Sequence, residues 1–336
     1  MSEAPLPNFF IVGAGKAGTT SLHGYISQHP QIYMSPVKEP CYFASEIRGG
    51  TLSPDFERHL RRQSRGLAEI LKDSAPVKPL GWIAHDLDDY LRLFQNVRDE
   101  KAIGEASAAY LWSATAASNI HASVPTAKIV MILRDPAERA FSQYLHQASV
   151  GLTGAGFREH LRQSFEYMQA FEHTQAFEYM QGAGADRKQL SIFHPFLEAG
   201  LYSAQVKRYL DVFPREQIRI YWYEEAWRDT GAMLADLLEF LGVDAGFRPD
   251  TSRRSLERRR PRWLGAHHFL KKFKLWYPLR ALVPDAVIPR LRSAAFRQGK
   301  SLKMDARDRE YLVDYYREDV IKLSAMLDRD LSSWLR

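Results

Sequence analysis

Residues 9–25 read FFIVGAGKAGTTSLHGY, an apolar run of strand length that empties into three glycines and then into a helix-like segment. A buried strand feeding a glycine-rich turn and a helix is the opening unit of an α/β sheet, and the amides and dipole at such a helix N-terminus favour an anion. Gly13, Gly15 and Gly18 have the spacing of a dinucleotide fingerprint, but residues 31–38 (QIYMSPVK) offer no acid for a ribose hydroxyl. A Walker A loop ends in Gly-Lys-Ser/Thr, whereas here Lys16 comes two residues before Gly18, which runs straight into Thr19. What remains is a loop for a highly charged anion. Thr19, Thr20 and Ser21 add hydroxyl donors on the first helical turn, and Lys16 reaches past a bound phosphate toward a leaving-group oxygen.

Lys128–Leu133 (KIVMIL) and Gln217–Tyr223 (QIRIYWY) join Phe9–Val12 as expected buried parallel strands, with helical patterns over 136–148 and 201–213. The alternation predicts an α/β fold, a P-loop-like central parallel sheet flanked by helices with a basic C-terminal helical segment. A chain of 336 residues with 45 % hydrophobic content suffices for one large core, so a single domain over 1–336 is expected. Its parts are an α/β core over 5–255, a basic segment over 256–300 and a closing helix over 301–336. In the closing helix Leu312, Tyr316, Val320, Leu323 and Leu327 recur at helical spacing behind Asp305 and Asp308, a variant capping pair. The hexamers FEYMQA, FEHTQA and FEYMQG, residues 165–182, read as a helical excursion on the surface.

Charge is concentrated. Residues 251–300 hold fourteen Lys or Arg against Glu257 and Asp285, a balance of +12 that leaves −6 for the rest of a chain of net charge +6. A basic segment on a mildly acidic body points to a local anionic partner and argues against a nucleic-acid coat. There Phe269, Leu270, Phe273 and Trp276 form a stripe opposite Lys271, Lys272 and Lys274. The pattern suits a helix lying on a nucleotide, touching a membrane surface through 263–280, or docked on the body. The lone Cys41 rules out an internal disulfide framework, and no run of eighteen apolar residues occurs. With the chain opening almost on its first strand, a cytoplasmic protein without a signal peptide is expected. His146, His194, His267 and His268 lack partners at ligand spacing, so no metal is expected. Trp112, Trp222 and Trp227 read as core or rim, with Trp112 placed to line an acceptor pocket.

GAGKAGTTS after one strand, with RDPAERAFSQY after a later one, resembles the PAPS-dependent sulfotransferase family, PAPS being 3′-phosphoadenosine 5′-phosphosulfate. The resemblance implies that Gly15, Lys16, Ala17, Gly18, Thr19, Thr20 and Ser21 form the 5′-phosphosulfate loop. It implies that Arg134 and Ser142 hold the 3′-phosphate; their separation of eight residues is just over two helical turns, so both can face one group. LYSAQVKRYLDVFPREQIRIYWYEE is similar to the family's third-strand region, which implies that Tyr202 lies against the adenine. SPVKEPCYFA resembles the heparan-type Lys-Glu-x-x-Phe-Phe context, implying Glu39 as the base that takes the acceptor proton, with Lys38 beside it and Tyr42 and Phe43 as wall.

The aryl and steroid branch of the family takes its base from a histidine, and AIGEASAAYL (102–111) has none; this favours Glu39, with Glu105 as substitute or helper. Lys38, Glu105, Ser107 and Trp112 are the expected acceptor contacts. The family's glycine-bearing basic loop over the 3′-phosphate is replaced by TSRRSLERRRPRW, so one or two of Arg254, Arg258, Arg259, Arg260 and Arg262 are expected to serve, Arg260 and Arg262 first. The implied activity is transfer of a sulfuryl group from PAPS, without a metal, to a hydroxyl of a carbohydrate or glycolipid-like acceptor, releasing adenosine 3′,5′-bisphosphate. Two readings compete. One is a P-loop kinase-like phosphotransferase, which needs a Walker B acid. The other is a non-catalytic module binding anionic nucleotides or lipid through residues 251–300.

Overall fold

The computed structural model describes residues 5–45, 86–180, 195–252, 259–273, 295–298 and 302–336. In chain order its elements begin with β1 (Phe9–Gly13), α1 (Thr19–Ile26), β2 (Ile32–Met34), α2 (Leu87–Arg92), β3 (Ala102–Ala106), α3 (Ala109–Trp112), α4 (Ala116–Ser123) and β4 (Lys128–Leu133). They continue with α5 (Pro136–Val150), α6 (Phe157–Met180), α7 (Tyr202–Leu210), β5 (Ile218–Trp222), α8 (Tyr223–Ala226) and α9 (Thr230–Leu241). Last come β6 (Arg259–Pro261), α10 (Leu264–Lys272), β7 (Phe296–Gln298) and α11 (Ala306–Leu327). The chain forms two compact units: Met1–Asp135 with Arg187–Ser191 and Leu201–Ser255, and Pro136–Asp186 with Ile192–Gly200 and Leu256–Arg336.

The first unit is built on a parallel sheet of order β2-β3-β1-β4-β5. All five residues of β1 are buried, as a central parallel strand covered on both faces requires. Phe9 pairs with Gly104 on one side and Lys128 on the other. Gly104 is needed there because a Cβ would stand 2.1 Å from Cζ of the Phe9 ring, which lies across the neighbouring strand. β5 departs from the expectation of a buried strand: it is the sheet edge, and only Ile218 is buried. Its polar positions answer to α9, where Asp236 accepts from the Tyr221 hydroxyl at 2.7 Å and lies 3.4 Å from Arg219 Nε. α7 is fastened to α3, with Tyr209 donating to the Tyr110 carbonyl at 2.9 Å and Arg208 to those of Leu111 and Trp112.

Adjacent strands β1 and β4 continue toward opposite edges of the sheet, β1 to β2 and β4 to β5. A crevice at the carboxyl ends of strands at such a reversal is where open α/β sheets take ligands. The glycine loop after β1 and Arg134 after β4 sit at those two ends.

The second unit holds α5, α6, α10, α11 and the antiparallel pair β6–β7, in which Arg260 opposes Arg297. In α11, Leu312, Tyr316, Val320 and Leu323 are buried, and the Tyr316 hydroxyl donates to the Leu197 carbonyl at 2.9 Å. Leu327 is only half-buried. The expected capping pair splits. Asp305 caps by accepting from the Arg307 amide at 2.9 Å, while Asp308 binds Arg158 Nε at 2.7 Å. α6 carries the hexamer repeat through Met180 as helix, and its Phe165 ring lies 5.1 Å from those of both Tyr311 and Tyr315; residues 181–182 lie outside the described set. α10 turns His267 and His268 inward, to the carbonyls of Ser149 and Gly151, and leaves Trp263, Phe269 and Phe273 exposed. Lys274 and Trp276 lie outside the described residues.

Candidate active site

α1 begins at Thr19 behind Gly18, which has φ 90° and caps with no side chain, and no acid occupies the first turn. The positive end of the helix dipole at this turn therefore meets no acidic side chain of its own helix, a setting that favours an anion. Gly18 cannot be replaced without strain, because a Cβ there would lie 2.3 Å from Cζ2 of Trp227 in a left-handed backbone. Trp227 also donates from Nε1 to the Ala17 carbonyl at 3.3 Å, so one indole both covers and ties the loop.

Lys16 has φ 69°, and its carbonyl accepts from Arg134 Nη1 at 2.9 Å. Arg134 is buried, with its guanidinium carbon 4.4 Å from the centre of the Tyr223 ring. The structure thus brings the two sequence motifs into direct contact. Trp227 and Tyr223 had no site role in the sequence reading. The available signal was WYEEAW, an aromatic cluster directly after the strand that borders β4.

Glu39 sits at φ 64°, its amide donating to the Ala106 carbonyl at 2.9 Å. Its carboxylate accepts from the Ala108 amide at 2.8 Å and from the Lys38 ammonium, and keeps 19 % of its side-chain surface open. Beneath this turn, Ser107 Oγ accepts from the Cys41 amide at 3.1 Å, and the Tyr110 hydroxyl accepts from the Phe43 amide at 3.2 Å. Glu105 lies under both with no exposed surface. Burial pushes its carboxyl up to about 8; the Tyr110 hydroxyl opposes the rise and the Glu39 charge adds to it.

Several expected contacts change character. Glu105 and Ser107 are fully buried and serve the turn, so neither offers an atom to an acceptor in this arrangement. Lys38 is buried against Glu39. Tyr202 opens α7 with a fully enclosed side chain, so its ring presents no open face for an adenine. Trp112 remains half-buried at the end of α3. Ser142 lies in α5, Arg260 in β6 beside the Tyr144 hydroxyl, and exposed Arg262 just after it, all in the second unit. Arg254 and Arg258 fall outside the described residues, and Arg259 is described by its backbone alone.

The donor set at the ends of β1 and β4 suits a multiply charged anion: helix amides, three hydroxyls, a lysine and a buried arginine. Among the described residues no group of three or more His, Cys, Asp or Glu could hold a metal ion, and no helix is long and apolar enough to cross a membrane.

The sequence pattern described as "Sulfotransferase family" matches residues 7–248. A sulfotransferase crystal structure from Alicyclobacillus acidocaldarius is 32 % identical, covers 99 % of this chain and 100 % of its own, and superposes with a TM-score of 0.68. Carbohydrate sulfotransferase 15 of Mus musculus is 28 % identical over 263 residues, 71 % of this chain and 44 % of its own length. Bifunctional heparan sulfate N-deacetylase/N-sulfotransferase 2 of Bos taurus is 25 % identical over 335 residues, 98 % of this chain and 31 % of its own. The chain therefore spans less than half the length of these two curated relatives.

Proposed function

The chain belongs to the sulfotransferase family, and from that premise we propose that it moves a sulfuryl group from PAPS to a hydroxyl of a saccharide or glycolipid-like acceptor. The observation that carries the proposal is the Arg134–Lys16 contact at 2.9 Å, which joins the two phosphate motifs at neighbouring strand ends. PAPS supplies an activated sulfuryl group whose leaving group is a 5′-phosphate. The amides of α1 and the hydroxyls of Thr19, Thr20 and Ser21 hold that phosphate, and Lys16 sets positive charge where the leaving oxygen gathers electrons. Arg134 takes the 3′-phosphate, already oriented by the Lys16 carbonyl and the Tyr223 ring. Glu39 takes the proton of the acceptor hydroxyl, its carboxylate held in place by the Ala108 amide and Lys38. For Ser142, Arg260 and Arg262 the proposal rests on sequence alone.

The saccharide acceptor is supported by the names of the relatives, a carbohydrate and a heparan sulfate sulfotransferase. The exposed Trp263, Phe269 and Phe273 of the basic segment support a peripheral contact with an anionic membrane; failure to co-sediment with anionic vesicles would exclude it. The central test incubates the protein with sulfur-labelled PAPS and a panel of hydroxylated saccharides, scored by mass gain. Lys16→Ala should cut turnover by about a hundredfold to a thousandfold without moving the melting temperature. Unchanged turnover in that variant overturns the assignment.

A further inference from the structure

A carboxyl group with no surface is costly to keep unless the fold uses it. Glu105 on β3 is such a group, and it lies under the turn that carries Glu39. We propose that Glu105 is a positioning residue for Glu39: as a neutral acid it underlies the Lys38–Phe43 turn and leaves Lys38 to Glu39, and on ionisation it draws Lys38 away and repels the Glu39 carboxylate.

Each hydroxyl has one proton and oxygen lone pairs. Ser107 and Tyr110 spend an oxygen lone pair on the amides of Cys41 and Phe43, which leaves their protons to point elsewhere. The Ser107 proton goes to Glu105 Oε2, a long contact at 3.5 Å, and the Tyr110 hydroxyl borders the same carboxyl. Oε1 has no hydrogen-bond partner among the described residues, which suits an oxygen carrying a proton far better than one sharing a full charge. The charged and titratable groups facing Glu105 are Lys38, Glu39 and Cys41 from the turn, Tyr110 from α3 and Tyr90 from α2. Burial pushes Cys41, Tyr90 and Tyr110 upward, and Glu105 itself to about 8, so Glu105 is the member of this cluster expected to change charge in mildly alkaline solution. Once ionised, it competes with Glu39 for Lys38 and repels the Glu39 carboxylate.

The inference rests on the transferase reading, and its test separates the two. kcat and KM are measured from about pH 6 to pH 10 for the wild type, Glu105→Gln and Glu105→Ala, alongside melting temperatures. The wild type should lose turnover as pH rises through about 8. Glu105→Gln, isosteric and always neutral, should keep kcat within about threefold at neutral pH and lose that alkaline fall. Glu105→Ala should lower kcat about tenfold to a hundredfold with the KM for PAPS unchanged, because the turn shifts and the first loop does not. The melting advantage of Glu105→Gln over the wild type should also grow from about pH 5 to pH 8, a readout that needs no turnover. A Glu105→Gln enzyme that keeps the alkaline fall, is as inactive at neutral pH as Glu39→Gln, or gains no melting advantage with pH overturns the inference. A wild type that transfers nothing to any acceptor overturns the transferase reading instead, and the melting comparison still decides the place of Glu105.

Discussion

At Gly18 a single residue meets two demands, a left-handed backbone at φ 90° and room for the Trp227 indole 2.3 Å from where a Cβ would stand. Alanine would pay about 1 kcal/mol for the backbone and more for the clash. Gly18→Ala should therefore lower both the melting temperature and the affinity for adenosine 3′,5′-bisphosphate. Because the clash has one partner, the same change made in a Trp227→Ala background should cost less. Additive costs in the double-mutant cycle would show that Trp227 does not press on the loop. Residues of this kind divide sharply in legibility. Lys16, Thr19, Thr20 and Ser21 stand out as candidates in the sequence, because the expectation for them lies in residue type and local spacing. Trp227 does not, since its contact with Ala17 spans 210 positions of chain and exists only once the strands have paired.

Between elements, the edge strand β5 matters because it delivers Tyr223 to Arg134 and Trp227 to the glycine loop. Its tie to α9 runs through Asp236. The Arg219 pair is about half exposed at both ends and contributes little, so the short Tyr221 hydroxyl bond carries the attachment. Asp236→Ala should cost about 1–2 kcal/mol in a urea melt and weaken nucleotide binding with it. An unchanged midpoint would mean that α9 does not hold the strand. Strands β1, β4 and β5 were legible as apolar or β-branched runs. β2 was not, at three residues, and β3 was not, since AIGEA sets alanines, a glycine and a glutamate in a strand. Both of β3's atypical residues have tertiary reasons. Gly104 clears the Phe9 ring, and Glu105 lies beneath the Glu39 turn. Of the helices with clear periodicity, α5 and α7 lie within a few residues of their expected bounds, while α11 fills only Ala306–Leu327 of the expected 301–336.

For the whole molecule, the proposed ligand is a small polyanion and the chain carries a net +6, so binding should show as stability. At about a hundredfold excess over its dissociation constant, adenosine 3′,5′-bisphosphate should stabilise the fold by about 2.7 kcal/mol. For a chain of this size that is roughly 4 °C in melting temperature. Adenosine 5′-monophosphate, which keeps the α1 contacts but leaves Arg134 unmet, should give a smaller shift, and Arg134→Ala should bring the two nucleotides level. Added salt should shrink the difference, because the distinguishing interaction is one between charges. Equal shifts from the two nucleotides in the wild type would place the 3′-phosphate away from Arg134 and break the pairing of strand ends on which the proposed transfer chemistry depends.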